Sequence, residues 1–257
     1  MGDGRRTVLE GRGLVKWYGV GRHRRQVLFD VDARLHAGEC LAVIGGSGSG
    51  KTTLTRVLLG LERADGGSIE YCGEPVRGDV ARSLRAQSAL VFQNPFDSLD
   101  PRWRIGRSVG EPLRLHHPDW PRERVLERAA AALDMVSLDS GTYADRFPID
   151  LSGGQAQRAA IARAIVDKPK ILLADEPMSA IDVAARVRIL GSFEAIRKAE
   201  PDMAIIMVSH DLGVVQHLAD RILVLHDGRV VEAGATAEVL GHPQDEYTRR
   251  LVRAASL

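Results

Sequence analysis

The sequence predicts an α/β protein with three parts: a core around a parallel sheet, an antiparallel β subdomain and an inserted all-helical subdomain. Short, wholly apolar runs are typical of parallel strands buried on both faces, and they occur at residues 41–44, 171–174, 204–208 and 222–225. Longer strand-like segments at residues 8–18 and 27–35 predict the antiparallel part. Between residues 93 and 151 the strand pattern gives way to helical spacing, which predicts the inserted helices.

The helical part is predicted most clearly by residues 121–138. Val125, Ala129, Leu133 and Val136 recur at helical spacing, and Pro121 stands where a helix begins. A chain of 257 residues suits one α/β domain with an insertion. We therefore expect a single domain, with its core at residues 1–92 and 156–240, the helical subdomain at 93–155 and a tail at 241–257.

A glycine-rich segment joins the apolar run at 41–44 to a helix predicted at 51–59. It fits the pattern G-x-x-x-x-G-K-[ST] and consists of Gly45, Gly46, Ser47, Gly48, Ser49, Gly50, Lys51, Thr52 and Thr53. Glycines let backbone N–H groups converge on one anion, Lys51 would reach the β and γ phosphates of a nucleotide, and the Thr52 hydroxyl would bind magnesium. A flexible linker is the alternative, but linkers rarely lie between an apolar strand and an apolar helix. The segment therefore predicts a phosphate-binding loop, or P-loop.

Two carboxylates, Asp175 and Glu176, directly follow the apolar run at 171–174. Open α/β sheets bind their ligands at the carboxyl ends of such strands. Because phosphoryl transfer needs positioning and charge stabilisation, Asp175 suits a magnesium site and Glu176 a general base for the attacking water. Without the P-loop, a solvated strand end would be the simpler interpretation.

A second helix start that suits an anion occurs at Leu151-Ser152-Gly153-Gly154-Gln155. Ser152 can cap the helix and bond a phosphate oxygen. With the P-loop before it and the acidic strand after it, this segment resembles the LSGGQ signature of the ATP-binding cassette family. The resemblance implies a RecA-like P-loop NTPase core and a helical arm that presents Ser152, Gly153, Gly154 and Gln155 to ATP on a second protomer.

The resemblance also implies roles for residues outside these motifs. Tyr18 matches the aromatic residue that stacks on adenine, with Trp17 as the alternative. Gln93 matches the glutamine that reaches the metal and the water, Asp182 an aspartate that touches the opposite protomer, and His210 the histidine that senses the γ-phosphate. The chain departs from the family at Met178 and Ile181, and neither change removes a catalytic group.

Two further segments are similar to ATPases of the oligopeptide, dipeptide and nickel importers: residues 93–102 and 243–251. The resemblance implies ATP and Mg²⁺ as cofactors. Its partners would be integral membrane permease subunits, a second ATPase subunit that is a copy or a different chain, and indirectly an extracytoplasmic solute-binding protein. One alternative is the ATPase of a carbon-phosphorus lyase type complex. Another is a soluble cassette acting on DNA or ribosomes, for which a coiled-coil insertion or two fused cassettes would be expected.

Composition limits the remaining function classes. The formal net charge is +1 and the pI about 7.9, which gives no indication of a nucleic-acid partner. Cys40 and Cys72 lack metal-ligand spacing and suit a reducing compartment. No apolar run approaches the about 20 residues that cross a bilayer. Composition therefore predicts a cytosolic protein, and the resemblance to importer ATPases implies that it is peripheral, at the cytoplasmic face of the cell membrane.

Overall fold

The computed structural model describes residues 5–179 and 181–255, without the side chain of Arg22. Its strands are β1 Thr7–Tyr18, β2 Arg25–His36, β3 Cys40–Ile44, β4 Gly66–Tyr71, β5 Glu74–Pro75, β6 Ser88–Val91, β7 Ile171–Asp175, β8 Ala204–Val208, β9 Arg221–His226 and β10 Arg229–Ala235. Its α-helices are α1 Lys51–Leu58, α2 Gly78–Ala86, α3 Ile105–Val109, α4 Glu111–His116, α5 Arg122–Met135, α6 Ser140–Tyr143, α7 Gly153–Ile165, α8 Val183–Ala199, α9 Leu212–Leu218, α10 Thr236–Gly241 and α11 Glu246–Ala255.

The chain forms two compact units. The first unit comprises the described parts of residues 1–88 and 204–257, and the second unit comprises those of residues 89–203. The strands predicted at 41–44, 204–208 and 222–225 are confirmed as β3, β8 and β9 of the first unit, and the strand at 171–174 as β7 of the second. The mixed α/β fold that the sequence predicts is therefore present.

Parallel strands form the centre of the first unit, in the order β10-β9-β3-β8. β3 is buried along its whole length and pairs in parallel with both neighbours, with Val43 opposite Val208 and Ile44 opposite Val224. This double burial explains why the strand is wholly apolar. A separate antiparallel sheet has the order β2-β1-β4-β5, and its pair β1 and β2 confirms the predicted antiparallel segments.

Helices fill the described chain between β6 and β7 of the second unit. The predicted helix at 121–138 is confirmed as α5, which follows Pro121 and buries Val125, Ala129 and Leu133. The buried helix α7 packs against α3, α5 and α8, so the compact unit extends past the helical stretch predicted at 93–155. That subdomain boundary stays a prediction. Of the helices that the structure describes, none has the length and apolar character needed to cross a membrane.

Candidate functional site

The glycine-rich loop lies at the carboxyl end of β3 and leads directly into α1. Gly45 has φ +150°, and a Cβ there would stand 2.1 Å from the Leu225 carbonyl oxygen of β9. Gly48 has φ +76°, and a Cβ there would meet nothing within 4 Å. The loop is thus pressed against the sheet at Gly45 and faces open space at Gly48, as a phosphate-binding loop requires.

Lys51 turns inward onto the loop it follows. Its Nζ donates hydrogen bonds to the carbonyl oxygens of Gly45 at 3.0 Å and Gly46 at 2.9 Å, and the residue is only 9% exposed. The Ser49 hydroxyl oxygen is buried in the same loop and has no hydrogen-bond partner among the described residues. A buried ammonium and an unsatisfied hydroxyl fit a loop that encloses an anion.

The start of α1 has no side-chain cap in the described structure. Its N-cap residue, Gly50, has φ +103° and contributes no side chain. The first N–H groups of a helix have no partner within that helix, and the helix dipole favours negative charge beside them. This helix start therefore suits a phosphate group, and ATP fits the residues present.

Residues outside the motif hold the loop in place. The backbone N–H of Gly46 donates to the Tyr247 hydroxyl of α11 at 2.6 Å, and the N–H of Gly228 donates to the Ser49 carbonyl oxygen at 3.0 Å. Neither contact is predicted by a local sequence motif. The segment 243–251 indicated only the transporter subgroup, although its tyrosine was the available clue to the first contact.

His210 lies at the same sheet edge as the loop. Val43 and Val208 are paired in the parallel strands β3 and β8, and Gly45 and His210 each follow their paired valine by two residues. The exposed His210 stands in a turn where Asp211 caps α9 by accepting from the Gly213 N–H at 3.0 Å. The first unit thus brings His210 and the P-loop to one edge.

Tyr18 lies beside the start of α1. It is 40% exposed, and its hydroxyl lies 3.4 Å from the Thr53 hydroxyl. Burial, together with the hydrogen bond that the phenol donates to Glu62, raises the pKa of Tyr18. The alternative aromatic, Trp17, carries the Arg24 guanidinium 4.8 Å from its ring centroid. The ring of Tyr18 therefore lies next to the P-loop helix, as an adenine contact requires.

The acidic residues belong to the second unit. Asp175 ends β7, and Glu176 follows it with φ +48°, a left-handed conformation that few non-glycine residues adopt. The Ser179 N–H donates to the Glu176 carbonyl oxygen at 3.1 Å, and the Ser179 hydroxyl accepts from Gln93 Nε2 at 3.1 Å. The same positive φ occurs at five other described non-glycine residues: Asp30, Cys72, Ser137, Lys168 and Asp227. Nothing in the sequence pattern indicated this backbone conformation.

The signature segment forms the start of α7. Ser152 is the N-cap: its hydroxyl accepts from the Gln155 N–H at 3.4 Å, and the Gln155 side chain accepts from the Ser152 N–H at 2.9 Å. Ser152 and Gly153 are exposed, whereas a Cβ on buried Gly154 would stand 2.5 Å from Cβ of Ala185. Gly154 therefore allows helix packing, and Gln155 stabilises the helix start.

Asp182 has a structural contact of its own. It is the N-cap of α8 and accepts a hydrogen bond from the Ala185 N–H at 2.9 Å. The residue is also exposed, so a contact with another protomer is compatible with its position.

The described residues contain no group of three or more His, Cys, Asp or Glu side chains that could hold a metal ion. Magnesium does not need such a group, because it keeps several waters and takes one or two protein oxygens plus phosphate oxygens. The Thr52 hydroxyl and the Asp175 carboxylate are oxygen ligands of the required kind. Thr52 belongs to the first unit and directly follows Lys51. Asp175 belongs to the second unit and directly precedes Glu176.

The comparisons with known proteins agree with these features. The family model described as "ABC transporter" matches residues 28–179, more than half of the chain. The oligopeptide transport ATP-binding protein OppF of Escherichia coli is 36% identical, with 99% of this chain and 79% of that protein aligned. The di/tripeptide transport ATP-binding protein DppF of Pseudomonas aeruginosa is 40% identical, with 96% of this chain and 79% of that protein aligned.

Solved structures are similar over most of the chain. One is a dimeric ATP-binding cassette in a post-hydrolysis state bound to ADP and Pi, with TM-score 0.78, 28% identity and 89% of this chain and 98% of that chain covered. Another is cbiO1 of Clostridium perfringens, part of the ABC transporter complex cbiONQ, with TM-score 0.82, 26% identity and 97% and 98% covered. With its P-loop, signature and acidic strand in family order, this chain belongs to the ABC transporter family as a nucleotide-binding ATPase.

Proposed function

We propose that this chain hydrolyses ATP to power a membrane importer of the peptide type. The observation that carries this proposal is the identity of 36% and 40% to transport ATP-binding proteins whose names specify oligopeptides and di/tripeptides. These alignments cover 99% and 96% of the chain, which is nearly its whole length. They favour peptides over nickel as the solute, and an importer over a carbon-phosphorus lyase type complex.

In the proposed reaction, first-unit residues bind the nucleotide. Tyr18 would stack on adenine, the Lys51 ammonium would contact the β and γ phosphates, and the Thr52 hydroxyl would be a ligand of magnesium. His210 contacts the γ-phosphate. The uncapped start of α1 and the sheet edge shared by the P-loop and His210 support these roles.

Second-unit residues supply the chemistry of hydrolysis. Asp175 and Gln93 would be ligands of magnesium, and the Glu176 carboxylate would orient the attacking water and accept its proton. Bound magnesium would neutralise charge on the phosphate oxygens. The left-handed backbone of Glu176 and the hydrogen bond from Gln93 to Ser179 support a constrained arrangement around β7.

We further propose that two ATPase subunits share each site. The exposed N-terminus of α7, with Ser152 and Gly153, would close over the γ-phosphate held by a partner, and Asp182 would contact that partner. The helical subdomain at 93–155 would transmit this closure to the permease. The solved cassette bound to ADP and Pi is a dimer, which supports the shared site.

A basic groove in the second unit is a candidate surface for the permease. Its volume is about 710 Å³, and its charged and aromatic lining consists of Arg102, Trp103, Arg104, Arg107, Arg114, Trp120, Arg122, Asp145 and Phe147. Asp100 and Asp145 pair with two of these arginines; in the described part of the chain, no carboxylate pairs with the other three. Since arginine binds carboxylates through paired hydrogen bonds, we propose that the groove receives an acidic segment of a cytoplasmic permease loop. This contact would hold the chain at the cytoplasmic face of the membrane.

The groove is tested by charge reversal. Arg107→Glu with Arg122→Glu should reduce recovery of this chain with detergent-solubilised permease, while the exposed Arg63→Glu should not. Normal recovery of the double variant would exclude the groove as the docking surface.

The shared site is tested with Glu176→Gln, which keeps the size of the side chain but cannot accept a proton. Hydrolysis should fall by about 10²–10⁴ while ATP binding survives. The variant, run with its native ATPase partner, should form dimers in ATP and monomers in ADP by size-exclusion chromatography with light scattering. Adding Ser152→Arg should prevent the dimer by steric bulk.

Glu74→Gln, an exposed carboxylate on β5, is the matched control and should hydrolyse ATP at the wild-type rate. A Glu176→Gln protein that turns over normally would exclude Glu176 as the base. An ATP-loaded protein that stays monomeric with its partner would contradict the shared site.

A further inference from the structure

The C-terminal helix α11 contacts the P-loop through the side chain of Tyr247. The Tyr247 hydroxyl accepts a hydrogen bond from the backbone N–H of Gly46 at 2.6 Å. Gly46 is the second residue of the loop, between the first glycine and Ser47. A residue that belongs to none of the nucleotide-binding motifs thus fixes a peptide group of the loop.

The tyrosine ring is itself held rigidly. It stacks on the His226 imidazole at the end of β9, with ring centroids 3.7 Å apart and an interplanar angle of 16°. It also packs against the buried cluster that contains Ile44 and Val224, the paired residues of β3 and β9. The strand that leads into the P-loop therefore also supports the side chain that holds it.

The tail is anchored just before Tyr247. The Glu232 carboxylate of β10 accepts from the N–H groups of Gln244 at 2.9 Å and Asp245 at 3.1 Å. Burial alone would raise the pKa of Glu232, but hydrogen bonds from the start of the tail outweigh it and lower the pKa. The Asp245 carboxylate accepts from the Tyr247 N–H at 2.7 Å, which fixes the first turn of α11.

The rest of the tail motif has matching contacts. Arg249 Nε donates to the Pro243 carbonyl oxygen at 3.0 Å, and its Nη2 donates to that of Gln244 at 2.8 Å. Leu251 packs on the same buried cluster as Tyr247. These contacts lie within the segment 243–251, which resembles that of peptide importers. Together they fix the position of the Tyr247 hydroxyl.

Gly46 is bonded at both ends of its backbone. Its N–H goes to Tyr247, while its carbonyl oxygen accepts from Lys51 Nζ at 2.9 Å and from the Ser49 N–H at 3.3 Å. The Lys51 ammonium has three N–H donors, so the same group can bond to the two loop carbonyls and to a phosphate. The bond to Tyr247 does not involve Lys51, so it restrains the Gly46 peptide independently of the lysine.

We propose that Tyr247 is a positioning residue that keeps the P-loop in its nucleotide-binding shape through the Gly46 N–H. Without the hydroxyl, the loop has more conformations to lose when ATP binds, and affinity falls for that reason. The proposal deepens the nucleotide site and rests on the assignment of residues 45–53 as the P-loop.

The test compares Tyr247→Phe with Tyr71→Phe. Each change removes one tyrosine hydroxyl from the first unit; that of Tyr71 bonds Gln87 at 3.3 Å and does not contact the loop. Tyr247→Phe should weaken ATP binding about 3- to 10-fold, the effect of one lost hydrogen bond, and raise KM with little change in kcat. Amide hydrogen exchange at Gly46 should accelerate in Tyr247→Phe alone. Tyr71→Phe should bind ATP like the wild type.

A double-mutant cycle of Gly46→Ala and Tyr247→Phe tests the contact itself, separately from any general loss of stability. A Cβ on Gly46 would lie 3.0 Å from the Tyr247 hydroxyl, so Gly46→Ala should push that hydroxyl away. In the Tyr247→Phe background the same change should weaken ATP binding much less, because the contact is already gone. Additive effects on affinity in this cycle would contradict the proposal.

The outcomes separate this proposal from the site assignment beneath it. If Lys51→Ala binds ATP normally, the P-loop assignment fails. If Lys51→Ala is impaired but Tyr247→Phe matches the wild type in ATP affinity and Gly46 exchange, only the role of Tyr247 is rejected. A Tyr247→Phe protein that loses thermal stability but keeps its ATP affinity would show that the hydroxyl serves packing alone.

Discussion

The chain contains two glycine-rich helix starts that are built in opposite ways. At the start of α1, no side-chain cap is present in the described structure, Lys51 is almost buried, and the loop is bonded to Tyr247. At the start of α7, Ser152 and Gln155 satisfy each other's backbone N–H groups, and Ser152 is exposed.

Under the proposed function, this difference separates a helix start that binds the nucleotide of its own chain from one that is offered to the nucleotide of a partner. An uncapped, enclosed helix start leaves donors that an anion can satisfy, so the start of α1 is stabilised by its ligand. A capped helix start is complete by itself and can remain exposed until a partner brings the anion. Local sequence chemistry is nearly the same in the two places, and the surrounding contacts decide the role.

The largest expected effect comes from removing the cation of the enclosed start. Lys51→Ala should abolish ATPase activity and strongly weaken ATP binding, because charged hydrogen bonds to phosphate contribute about 1.5–3 kcal/mol each. Ser152→Ala, at the exposed start, should leave ATP binding by the single chain unchanged. Calorimetry with ATP and a phosphate-release assay measure both quantities. Wild-type affinity and turnover in Lys51→Ala would refute the loop assignment.

The second-largest difference between the two helix starts should come from replacing a glycine in each of them with alanine. Gly45→Ala places a Cβ 2.1 Å from the Leu225 carbonyl oxygen at φ +150°, so we expect lower thermal stability and loss of ATP binding. Backbone strain of this kind costs about 1–3 kcal/mol before the steric clash is counted. Gly153→Ala meets only Ile181 Cδ1 at 3.7 Å and should keep both properties. Equal melting temperatures and ATP affinities in the two variants would contradict the contrast between the enclosed and the exposed start.

The sequence predicted elements well where one physical pattern dominated. β3, β7, β8 and β9 are short apolar runs because they are buried, and α5 shows the spacing of its buried face. β4 was not predicted: its residues include two glycines and are mostly exposed or half-buried, so no apolar pattern marks it. The edge strand β10 was missed for the same reason.

Within the site, the sequence motifs predicted which residues take part. They did not predict contacts between residues that are far apart in the sequence. The bond from Gly46 to Tyr247 joins residues 201 positions apart, and no local pattern encodes it. The positive φ of Glu176 arises in the turn that follows β7, and its residue type gave no sign of it. Asp182 was given an interprotomer role, while its contact with Ala185 is that of a helix cap, which its place before α8 could have indicated.

A smaller effect should come from the adenine contact beside the enclosed start. Tyr18→Ala should weaken ATP binding by about 1–3 kcal/mol, the range for base stacking, while turnover at saturating ATP is retained. Trp17→Ala is the matched control, since Trp17 is the neighbouring aromatic residue and its ring stacks with Arg24. Nucleotide titrations of both variants give the comparison. A larger loss in Trp17→Ala would move the adenine contact by one residue.

The smallest effect tests whether the exposed start has two separable roles. Ser152→Ala removes the cap of α7 and should lower the free energy of unfolding by about 1 kcal/mol, measured by chemical denaturation. Ser152→Asp retains a good N-cap, so stability should return close to the wild-type value. Its carboxylate would, however, face the phosphates of the partner's ATP and repel them. In the Glu176→Gln background, Ser152→Asp should therefore fail to form the ATP-dependent dimer even though it is stably folded. A Ser152→Asp protein that dimerises as well as the serine parent would show that the start of α7 serves only to cap its own helix, and the contrast between the two helix starts would then concern stability rather than function.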